Sequence, residues 1–414
     1  MAVIEARHIY KVFGRRPQRA IERLEQGATR DELMAEGLTP AVIDASFDVE
    51  EGEIFVVMGL SGSGKSTLIR MVNGLLTPTA GTIRVAGSDI NGVSAKDLRQ
   101  VRRDKVSMVF QHFALLPHRT VGENAAYGLK LRGVNRADRE KQANEALGMV
   151  GLEGWGDYRP GELSGGMRQR VGLARALAAG TEVMLMDEAF SALDPLIRRE
   201  MQDQLIELQQ KLDKTILFIT HDLNEAMRLG DRVAMMRDGR IEQIGTSEQI
   251  LNDPANDYVA QFVQDVDRTR VLTASSVMEK PVAVLGTEQG PRTAHRLMRE
   301  NQLHSLLVVD RQRSLHGVVM ESDIAQAVER GHDDLQGLVQ PATTVQPDTT
   351  VADLFAAAAD SPTVLAVVDG DRLLGVIPRV TLLAALGAGS GPTSDDIGTV
   401  GPDDAGSTVR EVAR

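Results

Sequence analysis

The sequence predicts an α/β protein, a mainly parallel sheet wrapped by helices with a second, smaller α/β module behind it. Three observations carry that expectation. Buried-strand runs recur at 105–110 (KVSMVF), 182–187 (EVMLMD), 215–220 (TILFIT) and 232–239 (RVAMMRDG), and helical stretches such as RQRVGLARALAAG and RREMQDQLIELQQKL separate most of them. A glycine-rich loop at 59–67 follows an apolar strand and opens a helix. Two later segments, 305–328 and 363–386, read as copies of one unit.

With 414 residues the chain is long enough for two or three domains, and 42% hydrophobic with 25% charged residues is the balance of a soluble globular protein. A formal charge of -12 argues against a general nucleic-acid binder. The absence of cysteine excludes disulfides and thiolate metal sites and fits the cytoplasm. No segment approaches the roughly 20 uninterrupted apolar residues of a membrane span, and the opening MAVIEARHIYKVFG lacks the apolar core of a signal peptide. Any transport role therefore needs a membrane path built by other chains.

Taken in order, VIEARHIYKVF alternates like an edge strand, and ASFDVEEGEIFVVMG reads as strand, Glu-Gly turn and strand. An insertion at about 14–39 lies between them. Ile21 and Leu24 sit at helical spacing there, and Thr29 with Glu32 forms a capping-box pattern ahead of a short helix that Gly37 ends. The insertion is a surface helical hairpin or a partner-docking element. The first domain is expected over 1–267. In the repeats SLLVVDRQRSLHGVVMESDIAQAV and TVLAVVDGDRLLGVIPRVTLLAAL, an apolar strand, a charged turn and a second strand through Gly317 or Gly375 lead into a helix. Such copies pack as one pseudo-symmetric module, expected over 268–388 with halves at 275–331 and 335–388. The last segment, 389–414, is rich in Gly, Ser, Pro and Asp and is expected to be a disordered acidic tail.

The loop GLSGSGKST supplies Gly59, Ser61, Gly62, Ser63, Gly64, Lys65, Ser66 and Thr67. Its glycines let backbone N–H groups curl around phosphates, and the helix N-terminus adds partial positive charge. Lys65 is placed to meet the β- and γ-phosphates, with the Ser66 hydroxyl on Mg2+. The strand EVMLMDE ends in two carboxylates, of which Asp187 would hold Mg2+ through its water shell and Glu188 would polarise the attacking water. Alone, such a pair is more often a solvated turn. The segment LSGGMRQR, with Leu163, Ser164, Gly165, Gly166 and Gln169, is either a plain helix start or a second anion-binding helix N-terminus. Beside a complete phosphate cradle, both segments become site candidates.

These three motifs, with SALD at 191–194, Gln111 after one strand and His221 after another, resemble an ABC-transporter nucleotide-binding domain over about residues 1–260. The resemblance implies a P-loop ATPase fold with a RecA-like core, a helical subdomain and an antiparallel β subdomain, and it implies ATP and Mg2+ as ligands. It makes Gln111 a catalytic and Mg2+-site residue that joins the site to the membrane partner. His221 becomes the switch histidine near the γ-phosphate, and Ser191, Ala192, Leu193 and Asp194 form a loop at a dimer interface. Phe13 stands where the family stacks a ring on adenine; packing in the core is the alternative. One motif set per chain implies a head-to-tail homodimer, in which Ser164 and Gly166 of one copy close over ATP held by Lys65 of the other.

The insertion, the repeats and the stretch DASFDVEEGEIFVVMGLSGSGKSTLIRMVNGLL are similar to the ATPase subunit of glycine betaine/proline betaine importers. That resemblance implies a peripheral subunit on the cytoplasmic face of the inner membrane, working with transmembrane permease subunits and, through them, a substrate-binding protein, without nucleic acid. The repeats resemble a cystathionine-β-synthase (CBS) pair, a module that binds adenine nucleotides or senses ionic conditions. The first keeps Gly317 and Asp323 but has Met320 at the hydroxyl position; the second has Gly375, Pro378 and Thr381 and no Asp. A ribose contact by Asp323 is thus available once, and a ligand-free sensor or dimerisation element is the alternative. The tail, with Asp395, Asp396, Asp403, Asp404 and Glu411 against Arg410 and Arg414, either senses salt or keeps the chain soluble. Two rival functions are a soluble ABC ATPase of translation or DNA repair and a nucleotide-sensing regulator without turnover. The first usually carries two cassettes or a long coiled coil; against the second stands the complete set Asp187, Glu188 and His221.

Overall fold

Strands β1 (Ala2–Phe13) and β2 (Thr39–Glu50) pair antiparallel, and β3 (Ile54–Met58) follows the Glu51-Gly52 turn but leaves their sheet. With β4 (Ala80–Val85) and β5 (Ser88–Asp89), the first two build a four-stranded sheet in the order β2-β1-β4-β5. The opening segment is therefore an inner strand, paired on both sides, not the edge strand its alternation suggested. A computed structural model describes residues 1–264 and 267–387; the acidic tail expected at 389–414 lies outside the described residues. The chain divides into one unit of Met1–Ser276 and a second that begins at Val277.

The larger sheet of the first unit has six strands. To β3 it adds β6 (Val106–Phe110), β7 (Val183–Asp187), β8 (Thr215–Thr220), β9 (Arg232–Arg237) and β10 (Arg240–Gly245), in the order β10-β9-β3-β8-β7-β6. All neighbours are parallel except β9 and β10. Every residue of β3 and β8 is buried, which is why both read as continuous apolar runs rather than alternating ones. Phe47 and Phe55 stack at 5.4 Å between the two sheets. Leu68, Ile69, Met71 and Val72 of the helix Lys65–Val72 pack into the same core.

A helical layer, Val121–Ala125, Arg136–Met149 and Gly165–Ala178, packs beside β6. Its entry loop is held by the buried Asn124, whose Oδ1 accepts from the Leu116 N–H at 2.8 Å while its Nδ2 donates to the carbonyls of Leu116 (3.1 Å) and Thr120 (2.9 Å).

The insertion is a helical hairpin, Pro17–Glu25 and Arg30–Ala35. The capping box forms, with the Glu32 N–H donating to the Thr29 hydroxyl and the Thr29 N–H to the Glu32 carboxylate. Gly37, at φ 78°, ends the helix in a conformation that costs a glycine nothing. Leu24 and Leu33 bury against Tyr10, Val12 and Ile43, so the hairpin lies on the β1–β2 pair.

The second unit shows its repeat in the topology. The sheet of β11 (Val284–Gly286), β12 (Ser305–Val309) and β13 (Leu315–Met320) has the same plan as that of β14 (Thr344–Val345), β15 (Leu365–Asp369) and β16 (Arg372–Ile377). In each the first pair is parallel and the second antiparallel. Gly317 faces Val308 and Gly375 faces Val367, equivalent places in the two ladders. Both are crowded: a Cβ on Gly317 would lie 2.3 Å from the Gln340 carbonyl, and one on Gly375 2.8 Å from the Met278 sulfur.

Truncating Asn124 leaves the Leu116 N–H without its acceptor and removes one of the two bonds to each of the Leu116 and Thr120 carbonyls, so Asn124→Ala is expected to destabilise the helical layer by about 1–3 kcal/mol. Hydrogen exchange across 111–131 checks it, with protection lost there before it is lost in β3 or β8.

Candidate nucleotide site

Parallel strands end at a common edge, and β3, β8, β7 and β6 are neighbours in that order. Their ends and the segments that follow carry, in turn, the glycine-rich loop, His221, the Asp187-Glu188 pair and Gln111. Sheet topology alone therefore gathers four motifs that are up to about 160 residues apart in sequence, as expected at the carboxyl edge of an open α/β sheet.

The loop is a backbone cradle. Gly59, Gly62 and Gly64 have φ of 152°, 80° and 106°. A Cβ on Gly59 would stand 2.1 Å from the Met236 carbonyl and one on Gly64 2.2 Å from that of Ala41, so neither position admits another residue. Ser63 is buried, Ser61 and Gly62 lie at the exposed rim, and Ser66 and Thr67 are half-buried in the first helical turn. Lys65 is 4% exposed and curls over the loop, its Nζ donating to the carbonyls of Gly59 (2.7 Å) and Leu60 (3.0 Å). Burial pushes its ammonium below the ordinary lysine range, opposed by Glu188 and then Asp187.

The Ser66 hydroxyl donates to Asp187 Oδ1 at 3.2 Å. Burial raises the Asp187 carboxyl above the usual carboxylate range, while the Ser66 hydrogen bond, Arg70 and Lys65 pull it back. Glu188 is held in the left-handed region at φ 46°, its N–H donating to the Ile219 carbonyl at 2.9 Å. A non-glycine residue in that region stores strain, which accumulates at functional sites. Its Oε2 accepts from Gln111 Nε2 at 3.1 Å and lies 3.3 Å from His221 Nδ1. Gln111 also reaches the Ser191 hydroxyl at 3.3 Å, and that hydroxyl donates to the Glu188 carbonyl.

Sequence-predicted residues outside this cluster take other positions. Leu163 is buried; Ser164 is exposed and caps the fourteen-residue helix Gly165–Ala178, its hydroxyl accepting from the Met167 N–H at 3.2 Å. Gly166 is needed because a Cβ there would lie 2.8 Å from Ile197 Cγ2. Gln169 is 0% exposed with both amide atoms unpartnered, so this conformation does not present it to an opposing chain. Its place one turn into the helix turns it inward, where Ser164 faces out. Leu193 is buried, Ala192 is exposed, and Asp194 caps the helix Pro195–Leu212 by accepting from Ile197 N–H at 3.1 Å. Phe13 is 41% exposed, with Lys11 Nζ 5.1 Å from its ring centre on one face. In the second unit, Asp323 accepts from Gln340 Nε2 at 2.9 Å and does not line the cleft of about 390 Å³ formed there by Glu279, His304, Pro362 and Arg379 among others. Thr381, at the place of Asp323 in the other repeat, donates to Glu279 Oε1 at 2.6 Å.

Sequence reasoning missed the buried polar cluster at the start of the helix that follows His221. Glu225 is 4% exposed and accepts from Gln202 Nε2 at 3.1 Å, and its N–H donates to Asp222 Oδ1. The Asp-x-x-Glu spacing after His221 was the available signal.

A carboxyl whose folded-state pKa is raised favours the folded chain at low pH, and that contribution is lost as pH rises through the raised value. Asp187→Asn removes the buried charge and keeps an acceptor for Ser66, while Lys65 retains Glu188, its stronger attraction. Without nucleotide, the variant should melt above the parent at about pH 7.5, and the difference should close as pH falls through about 4, the ordinary carboxylate range. Paired thermal melts across pH check it.

Comparison with known proteins agrees with this geometry. The family description "ABC transporter" matches residues 42–191, and "CBS domain" matches 274–330 and 335–388. The glycine betaine/carnitine transport ATP-binding protein GbuA of Listeria monocytogenes is 48% identical over 388 residues, 93% of this chain and 98% of that protein. The glycine betaine transport ATP-binding protein OpuAA of Bacillus subtilis is 49% identical over 92% of each chain. ProV of Escherichia coli, a glycine betaine/proline betaine transport system ATP-binding protein, is 45% identical over 92% of this chain and 97% of its own. Among solved structures, the dimeric structure of MJ0796, a bacterial ABC transporter cassette, is 32% identical with a TM-score of 0.50, covering 59% of this chain and 98% of that one. With a glycine-rich loop, a carboxylate pair and a histidine on one sheet edge of its first unit and a tandem repeat in its second, the chain belongs to the ABC transporter ATP-binding proteins that carry tandem CBS domains.

Proposed function

We propose that this chain is the ATP-hydrolysing subunit of an importer for glycine betaine or a related quaternary-amine solute. The observation that carries hydrolysis is the convergence of Gln111 and His221 on one oxygen of Glu188, beside the Ser66–Asp187 pair and Lys65. The substrate class rests on near full-length similarity to betaine transport proteins.

The cradle's N–H groups and Lys65 hold the β- and γ-phosphates of ATP, and Lys65 exchanges its loop carbonyls for phosphate oxygens. Ser66 and Asp187 are hard oxygen donors that suit Mg2+. Among the described residues no group of three or more His, Cys, Asp and Glu could enclose a metal, so remaining ligands come from phosphate, water and the Gln111 amide. Bound there, Mg2+ would neutralise charge on the transferring phosphoryl group. Glu188 accepts a proton from water as that water attacks the γ-phosphorus and the bond to the β-phosphate oxygen breaks, and His221 and Gln111 hold the carboxylate in place. Phe13 offers adenine the ring face away from Lys11.

Ser164, Gly165 and Gly166 open a long helix at an exposed N-terminus, which suits them to close over ATP bound by a second copy, with Asp194 at the same seam. A groove of about 640 Å³ lined by Arg99, Arg103, Met108, Tyr127, Leu131 and Arg175 borders β6, the strand that leads to Gln111, and is the proposed seat of the permease. Among the described residues no helix is long and apolar enough to cross a membrane, consistent with a peripheral subunit on the cytoplasmic face, linked to a substrate-binding protein only through the permease. The CBS module regulates this cycle.

Glu188→Gln keeps the shape and removes the proton acceptor. It is expected to bind ATP as a trapped dimer while hydrolysis falls about 100-fold or more, and vesicles carrying it with the permease should take up no labelled betaine. Near-normal turnover, or wild-type vesicles that exclude betaine, proline and choline alike, would refute the assignment.

A chain ended after Ser276 keeps every hydrolysis residue. It should retain ATPase activity in the reconstituted complex with a flattened response to salt; an unchanged activation curve excludes the module as regulator.

A further inference from the structure

The insertion has no part in the hydrolysis chemistry described above, yet one of its side chains reaches the phosphate loop. Arg30 opens the second helix of the hairpin, where the Thr29 capping box fixes its direction and Leu33 anchors the helix in the core. Its guanidinium donates to the Gly62 carbonyl at 3.3 Å and to Asp238 Oδ1 at 2.6 Å, while its Nε is buried without a partner. Asp238 sits in the β9–β10 turn with φ 49°, and the next residue, Gly239, donates its N–H to the Ser63 carbonyl at 3.0 Å and accepts from the Ile43 N–H at 2.8 Å. Two consecutive carbonyls of the loop, those of Gly62 and Ser63, are thus tied to elements outside it.

We infer that Arg30 is a positioning residue for ATP, which holds the phosphate loop in its binding shape from the outer side. In a trans peptide the C=O and the following N–H point in opposite directions. Fixing the Gly62 and Ser63 carbonyls outward therefore fixes the two peptide planes that lead into Gly64, where the loop turns to offer its N–H groups. Glycines at 59, 62 and 64 leave the segment free to rotate, and a loop that must be ordered on binding loses affinity to that ordering. The guanidinium can form both bonds at once because its donors diverge in a rigid fork; a lysine cannot span Gly62 and Asp238 in this way. Asp238 holds the fork from its other side.

This inference rests on the reading of 59–67 as the ATP phosphate cradle, and the experiment separates the two. The loop holds phosphates alike before and during transfer, so loosening it should raise KM for ATP without changing kcat. In the purified full chain, Arg30→Ala is expected to raise the KM and the equilibrium Kd for ATP about fivefold or more with kcat within about twofold, and Arg30→Lys should recover only part of the loss. Asp238→Ala, in an exposed turn, should weaken ATP binding in the same direction, and the double variant should be no worse than Arg30→Ala alone. Arg23→Ala, which breaks the Arg23–Glu36 pair of the same hairpin, should leave KM unchanged and so separates the bond to the loop from the integrity of the hairpin. Unaltered ATP affinity in a folded Arg30→Ala chain, a fall in kcat alone, additive losses in the double variant, or an equal loss in Arg23→Ala would each overturn the inference. If Lys65→Ala also leaves ATP binding intact, the cradle reading itself fails; if Lys65→Ala abolishes binding while Arg30→Ala does not weaken it, only the brace fails.

Discussion

Four neighbouring parallel strands, β3, β8, β7 and β6, end at one edge of a single sheet, and every residue of the proposed hydrolysis site stands at the end of one of them or on the segment that follows. The pairing sets the order of functions along that edge: cradle, histidine, carboxylates, glutamine. Strand burial is what keeps the register. A one-residue slip of β7 would reverse the faces of its buried Met184, Leu185 and Met186 and move Asp187 away from Ser66. The continuous apolar character of these strands is thus tied to catalysis, since it fixes where each strand stops.

The same edge is where the chain accepts unfavourable physics. Lys65 and Asp187 are removed from water, Glu188 is held left-handed, and three glycines give up conformational freedom. Each departure has a local counterweight: loop carbonyls for Lys65, the Ser66 hydroxyl for Asp187, the Gln111 and His221 side chains for Glu188. If this is the phosphate site proposed above, a phosphate would replace the carbonyls around Lys65 with a full charge, and nucleotide would then stabilise the site.

Much of this was legible in the sequence because the motifs encode backbone geometry. Gly59 and Gly64 are glycines since a Cβ would meet a carbonyl near 2 Å, and Thr29 with Glu32 announces a helix start that forms as written. What was not legible depended on long-range neighbours. The alternation of β1 reports one polar face but not how many strands pair with it, and two do. Gln169 lies five residues beyond the exposed Ser164, about 140° further round the helix at 3.6 residues per turn, and is buried there. Asp323 matched a ribose-binding position by local spacing, whereas the cleft is lined by Glu279, His304, Pro362 and Arg379 among others. The bond from Arg30 to Gly62 spans 32 residues and a separate hairpin, and no local pattern announces it.

The second unit folds as one body because its repeats share a core. Leu307, Val309 and Val318 of the first sheet pack with Ala366, Val368, Leu373 and Val376 of the second, so neither half buries its inner face alone. The strand that enters the module also crosses between halves: Glu279 exchanges both backbone hydrogen bonds with Val376, and its carboxylate accepts from Thr381. Glu279 lines the cleft and lies three residues beyond Ser276, where the first unit ends. Leu307 and Val376 line the cleft and belong to the shared core as well, so a ligand or ion that spread the cleft would act on Glu279 and on that core together. Glu279 thus joins three features of the second unit, its entry segment, the bridge between its halves and the cleft lining, whereas Asp323 is not among the lining residues.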